Sequence, residues 1–152
     1  MLLGTSARRR KGATVVESGI VLLLTLLLVM GGIVGGLGIF RYQQIASLAR
    51  EAARYASVRG GQYHKDTGKP AATQQSVHDE IIALEAVALD MTKLTYSVTW
   101  DEPNSKMPVY YDSTNKVWKG NTVTVTISYQ WVPEAFFGGA TMTSTSVMPI
   151  SN

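Results

Sequence analysis

Cysteine is absent from the 152-residue chain, and this absence excludes several kinds of chemistry. Thiol nucleophiles, cysteine-ligated metals and disulfide frameworks are all ruled out, so a folded domain must hold together by packing. The chain also lacks a G-x-S-x-G sequence, a glycine-rich phosphate loop and a Ser/His/Asp arrangement. We therefore expect neither enzymatic activity nor a cofactor.

Histidine is scarce too, with only His64 and His78. His64 lies near Asp66, and His78 is followed by Asp79 and Glu80. We expect His78 and Asp79 to point apart on a helix, and histidines in loops or at helix starts are ordinarily solvated. The sequence predicts no metal site.

Charge is missing from the 23 residues 18–40, which are mainly Leu, Val, Ile and Gly. As a helix they would be about 34 Å long, close to the hydrocarbon thickness of a bilayer. A buried soluble helix seldom runs so far without a polar face. The run is too long for a cleaved secretory signal, and no small-x-small site follows it before Arg41. We predict a retained single-pass anchor in the lipid bilayer.

Positive charge is concentrated ahead of this run, at residues 8–11, whereas Arg41 alone follows closely. This bias favours a cytoplasmic N-terminus and a C-terminal part exported to the periplasm or cell surface, with the anchor in the cytoplasmic (inner) membrane. From Gly60 onward the chain carries six Lys against nine Asp or Glu, so its net charge of +3 comes from the N-terminal part. No nucleic-acid partner is expected.

The helix is predicted to continue past the anchor, from about residue 13 to residue 59. Residues at i, i+3 and i+4 spacing form one apolar face: Tyr42, Ile45, Leu48, Ala49, Ala52, Tyr55 and Ala56. Glu51 and Arg54 are spaced to pair on another side of the helix. Gly60 and Gly61 are a stop signal.

The remaining chain is predicted to alternate helix and strand. Residues 61–75 are polar and favour a loop, and a capping box of Ser76 and Asp79 opens a short helix over about 77–89. Its predicted apolar face is Val77, Ile81, Leu84 and Ala88. Strict alternation predicts strands at 94–100 and 121–131, with a short strand at 109–111 and turn chemistry at 118–121.

Residues 141–150 predict a last strand, where Pro149 suits only an edge or a strand end. An antiparallel sheet of three or four strands needs a cover, for which the outer half of the long helix and the short helix are the candidates. The strand aromatics are expected to pack in the core and across strands, rather than to form a sugar-binding platform. They are Tyr96, Trp100, Tyr110, Tyr111, Trp118, Tyr129 and Trp131.

The predicted fold class is therefore α+β, with a long N-terminal transmembrane helix spine and a small antiparallel sheet head. We divide the chain into a basic leader at 1–12, a transmembrane helix at 13–40, an amphipathic extension at 41–60 and an exported α+β domain at 61–152.

A glycine after the basic cluster is followed, after four intervening residues, by a lone acid: Gly12-Ala-Thr-Val-Val-Glu17. This stretch resembles the processing site of type IV pilin-like proteins, in which a membrane-bound prepilin peptidase cuts after the glycine on the cytoplasmic side. The resemblance implies removal of residues 1–12, which would leave Ala13 as the new N-terminus.

The wider pattern resembles the TadE-like family of tight-adherence (Flp-type) pilus assembly proteins. It includes "RRRKGATVVESGIVLLL", "FRYQQIASLAREAARYASVRG" and the strands "VTVTISYQW" and "TMTSTSVMPI", and "AREAARYA" (Ala49–Ala56) is its most specific part. The resemblance implies a pilin-like fold. It also implies a minor pilin-like (pseudopilin) structural role in an adhesion pilus or a related secretion apparatus.

A lone carboxylate at the bilayer edge costs a few kcal/mol unless it is neutralised or paired. Cleavage before Ala13 would expose an amine at a depth that matches Glu17. The resemblance implies that Glu17 meets the N-terminal amine of a neighbouring pilin-like subunit. The alternative is an interfacial Glu17 that reaches the headgroups and does nothing more.

Glycines recur at small-xxx-small spacing within the apolar run: Gly31 with Gly35, and Gly32 with Gly36. Bare backbone on one helix face allows another helix to approach closely. The stripe favours packing against a pilin-like partner or the inner-membrane assembly platform, and the alternative is a lipid-facing patch.

Two functions remain open. One is a cleaved structural component of a pilus assembly, and the other is an uncleaved single-pass membrane protein whose exported domain binds a surface ligand or partner.

Overall fold

A computed structural model describes residues 10–104, 109–133 and 138–151, and it confirms an α+β chain with a long N-terminal helix. The chain divides into two units between Leu37 and Gly38. Helix α1 covers Arg10–Ser57, close to its predicted bounds. Most of the predicted basic leader, residues 1–9, lies outside the described residues, as do residues 105–108, 134–137 and 152.

The first unit contains the apolar part of α1. Within Thr14–Ser57, an 18-residue window has a mean hydropathy of 2.7, and none of that window is buried by the rest of the chain. Leu28, for example, is 77% exposed. By length and composition this helix can cross a membrane, and its exposed apolar surface favours lipid or other apolar helices over water.

The second unit is built on a three-stranded antiparallel sheet with the order β1-β4-β5. Strand β1 covers Leu94–Trp100, β4 covers Thr122–Trp131 and β5 covers Ala140–Pro149, so all three strands lie where the alternation predicted them. Strand β5 is at an edge, where Pro149 is tolerated.

One face of this sheet shares a buried core with α1. Alternate residues of β1 and β4 point inward, and the buried ones include Val98, Val123, Val125 and Ile127. Four alanines of α1 lie in the same cluster, each with 0% exposure: Ala49, Ala52, Ala53 and Ala56. Tyr42 was wrongly predicted on this face and is 49% exposed, because the buried face of the helix begins at Ile45.

The second cover of the core is a short irregular helix. It begins as α3 (Gln74–Val77), passes through a π turn (His78–Ile82) and ends as α4 (Ala83–Glu85). Its start was predicted three residues too late: the capping box joins Thr73 and Ser76, with Ser76 N–H donating to Thr73 Oγ1 at 3.1 Å. The predicted box of Ser76 with Asp79 is wrong.

The π turn also changes which residues are buried. A π turn places one extra residue in a helical turn and rotates everything that follows. Val77 and Ile82, five residues apart, are fully buried, whereas Leu84 is 69% exposed. The regular spacing assumed from the sequence therefore identified Val77 and missed Ile82.

Residues predicted as a loop contain a helix, α2, at Gly61–Thr67. Gly68 closes it in the left-handed conformation (φ 70°), and the Gly68 N–H donates to His64 O at 2.9 Å. Gln62 donates to Asp66 at 2.8 Å one turn on. Helix α2 is polar, so its sequence has no apolar periodicity from which the helix could be predicted.

A separate hairpin pairs β2 (Val109–Asp112) with β3 (Val117–Gly120). The short strand near 109 was predicted, but residues 118–120 were wrongly assigned to a turn. Tyr111 and Trp118 pack edge to face, with ring centroids 5.4 Å apart, yet they are 50% and 71% exposed and are not core residues. Lys119 Nζ lies 2.5 Å from Asp112 Oδ2 and holds the pKa of that carboxyl well below its usual range.

The alanine face of α1 generates a stability prediction. Ala52→Leu adds volume to a fully buried site, so we expect it to lower the free energy of unfolding by about 1–3 kcal/mol. Ser47→Leu, which places the same side chain on an exposed position of α1, is the matched control. Thermal unfolding of the full chain in detergent, followed by circular dichroism, measures both. Equal melting temperatures for the two variants would contradict close packing at Ala52.

Candidate processing and assembly site

Gly12 and Ala13 lie in the first turns of α1, which begins at Arg10. A glycine within a helix costs about 0.8–1.0 kcal/mol in helix stability relative to alanine, so Gly12 weakens α1 locally beside the bond that follows it.

Among the residues that the structure describes, no packing requires a glycine at position 12. A Cβ atom built on Gly12 meets nothing within 4 Å among the described residues, and its backbone is helical. The reason for a glycine here is to be sought in a partner outside this chain.

Glu17 lies one turn after Ala13 on the same side of α1, at a rise of about 6 Å. Its side chain is exposed among apolar neighbours such as Val16, Ile20 and Val21. None of the described cationic side chains pairs with it, and its nearest cations along the sequence are Lys11 before it and Arg41 after it. The chain thus presents an uncompensated carboxylate at the start of its apolar helix.

The glycine stripe is equally open. Cβ atoms built on four of its glycines meet no described atom within 4 Å; these are Gly31, Gly32, Gly35 and Gly36. Gly38 differs, since a Cβ there would lie 3.2 Å from two ring carbons of Trp131. The fold of the second unit therefore uses Gly38 for close packing.

The stretch "AREAARYA" has a structural role in the head. Its alanines fill the core described above, and Arg54 Nη2 lies 3.0 Å from Glu51 Oε1 on the solvent side, as the spacing predicted. This part of α1 positions the helix against the sheet.

The histidines do not assemble a metal centre. His64 Nδ1 lies 2.7 Å from Lys69 O, and His78 stacks on Tyr96 with ring centroids 4.9 Å apart. His78 Nδ1 is 2.7 Å from Asp79 Oδ1, so the prediction that these two side chains point apart is wrong. Across the described ranges, no group of three or more His, Asp or Glu side chains is placed to hold a metal ion.

One cavity was not predicted from the sequence. It has a volume of about 170 Å³, lies near the end of α1 and is lined by residues that include Tyr55, Arg59, Tyr63 and Glu80. Arg59 Nη1 lies 2.7 Å from Glu80 Oε2, donates to the Tyr55 hydroxyl and packs 3.9 Å above the Tyr55 ring. Glu80 is 21 residues from Arg59, so this ion pair could not be predicted from residue spacing within one helix.

The Arg59 cluster compensates its own charges. Burial, followed by a hydrogen bond to Glu80, raises the pKa of Tyr55 to about 12. The same hydrogen bond from Tyr55, together with Arg59, lowers the pKa of Glu80. The cluster therefore ties the end of α1 to the π turn.

Comparison with known proteins finds a similarity that is confined to helix α1. Residues 12–54 match the family model described as TadE-like protein, which covers less than a third of the chain. No curated protein and no solved structure matches the chain significantly. The matched segment begins at Gly12 and includes Glu17, the glycine stripe and most of the alanine face. The similarity to TadE-like proteins therefore lies in this helical segment.

Proposed function

We propose that the protein is a minor pilin-like subunit of a tight-adherence pilus or a related secretion apparatus. A prepilin peptidase cuts it after Gly12, and its N-terminal helix then joins it to other pilin-like subunits and to the inner-membrane platform. The observation that carries this proposal is the pair Gly12 and Glu17, which both lie inside the TadE-like match and which no described residue contacts in a way that explains them.

Cleavage explains why the chain keeps Glu17. Before cleavage, the carboxylate is exposed in an apolar setting without a cation. The new amine of Ala13 is a cation at a helix N-terminus, where the helix dipole is unfavourable to it. Glu17 of a neighbouring subunit neutralises that amine, and each partner removes the other's desolvation cost. Because both groups lie at fixed positions on their helices, the pair also sets the register between subunits.

In this arrangement residues 1–12 are the cytoplasmic leader and residues 13–40 the membrane helix. Residues 41–60 extend that helix, and residues 61–152 form the exported head. The protein acts by assembly, and it carries no enzymatic step. The lack of a charged side chain over residues 18–40 and the exposed apolar surface of α1 support this topology.

The first test is Gly12→Ala. A Cβ at this position has open space within the chain, so the fold is unaffected and only recognition by the peptidase is lost. We expect the wild type to have Ala13 as its N-terminus and the variant to retain residues 1–12, as measured by intact mass of protein purified from native membranes. Gly19→Ala is the matched control, since Gly19 is an exposed glycine of the same helix with equally open space.

Two outcomes would contradict cleavage at this bond. Normal processing of Gly12→Ala would mean that the glycine is not the recognised residue. A wild-type protein that retains Met1 would instead support an uncleaved membrane protein whose head binds a surface ligand.

Glu17→Gln tests the charge pairing. It keeps the shape and removes the charge, so cleavage should continue while incorporation into the assembly falls about tenfold or more, because a charge-assisted hydrogen bond is worth about 1.5–3 kcal/mol. Glu51→Gln, in the same helix but paired with Arg54, is the control. The measurement is the fraction of cleaved subunit that co-purifies with the assembled pilus complex. Unchanged co-purification of Glu17→Gln would rule out the pairing.

Gly35→Leu tests the stripe. A Cβ at this position meets no described atom within 4 Å, so we expect insertion and folding of the head to be unchanged while the contact with a neighbouring helix is lost. Gly19→Leu controls for added bulk elsewhere in the helix. In-membrane crosslinking from position 36 reads the contact, and an unchanged pattern in Gly35→Leu would indicate a lipid-facing stripe.

A further inference from the structure

The outer edge of β5 is open for pairing. Strand β5 pairs with β4 in an unbroken register from Trp131↔Ala140 to Thr122↔Pro149, and no described strand pairs with its other edge. Edge strands are usually protected by charged side chains, bulges or prolines. Strand β5 has ten residues, none of them charged, and its only proline is the last residue. Its outer edge can therefore accept another strand.

The sequence of β5 identifies which strand fits. The stretch Met142-Thr-Ser-Thr-Ser-Val-Met148 reads almost the same in both directions about Thr145. The single difference is Thr143 against Val147, two β-branched side chains of nearly the same shape. When two copies of this stretch pair antiparallel about Thr145, each residue lies opposite a residue of the same or nearly the same type. Such self-complementarity is the property of a two-fold interface.

We propose that the β5 edge pairs with β5 of a second copy of this chain. The strands run antiparallel with Thr145 on the two-fold axis, and the two three-stranded sheets join into one sheet of six strands. This pairing involves the head alone and does not depend on cleavage of the leader.

The side chains on both faces fit this register. On the inner face, Met142 of one copy lies opposite Met148 of the other, and both methionines already pack against the core of their own head. On the outer face, Val147 is 59% exposed and lies opposite Thr143, whose methyl group covers part of it. Since the strand is uncharged, no like charges meet across the axis.

The opposite edge of the sheet lacks these properties. Strand β1 would place Leu94 opposite Trp100 if it paired with itself about Ser97, and these side chains differ greatly in size. Charged residues also flank it directly, with Lys93 before it and Asp101 after it. The edge formed by β1 is therefore the natural control for the edge formed by β5.

Because the chain has no cysteine, single cysteines test the contact directly. Opposite residues of paired strands have Cβ atoms about 4.5–5.5 Å apart, within reach of a short thiol-to-thiol crosslinker. We expect the full chain with Thr145→Cys, in membranes or detergent, to give a covalent dimer. Thr99→Cys, an exposed threonine on the same face of the β1 edge, should remain monomeric. Equal crosslinking of the two variants would overturn the proposal.

The register has its own test. Two differently tagged full-length chains, Thr143→Cys and Val147→Cys, should crosslink to each other when mixed, and much less to themselves. Thr145→Lys places two cations on the axis and should abolish the dimer, whereas Thr99→Lys should not. Both lysines replace exposed side chains, and circular dichroism confirms that each variant is folded. Self-crosslinking that matches the mixed pair, or a dimer that survives Thr145→Lys, would contradict this interface.

Discussion

The head depends on the close packing of one helical face on which four alanines lie beside Ile45 and Leu48. Four fully buried alanines of α1 share the core with β1 and β4, and the Trp131 ring lies over Gly38 further along the same helix. Small side chains let the helix backbone lie near its neighbours, so a larger residue there would have to displace the core. Backbone contacts follow from this placement: Ser151 N–H donates to Ser57 O at 2.9 Å, and Arg41 donates to Ala88 O at 2.7 Å.

The same helix meets two different physical demands. Up to Leu37 its apolar side chains are exposed all round, as a lipid environment favours, and from Gly38 onward the helix has one buried face and one polar face. The TadE-like match extends from residue 12 to residue 54 and therefore covers both parts. What the match describes is a membrane helix together with the surface that holds a head, and the head itself lies beyond the matched residues.

The sequence was informative where one period is strong and local. The long apolar run, the alternating strands β1 and β4, and Pro149 at the end of an edge strand were all predicted correctly. Prediction from the sequence was wrong for elements that are stabilised by another part of the chain. Helix α2 is polar and is held by its Gly68 cap, β3 is exposed and depends on β2, and the π turn buries Ile82 in place of Ile81. The positions of Gly12 and Glu17 were readable from the sequence, whereas their lack of partners within the fold required coordinates.

This division between satisfied and unsatisfied groups argues for a subunit. In the head, charges such as Arg59 and Lys119 are paired with nearby acids, and the core is packed with small and branched side chains. Glu17, the four stripe glycines and the β5 edge have no such use within the described chain. Each of these features is unfavourable in an isolated chain. Glu17 is an exposed carboxylate among apolar residues, the glycines lower helix stability, and the β5 edge is an uncharged open strand. Contact with another chain would make all three favourable, and this supports the proposed role in assembly.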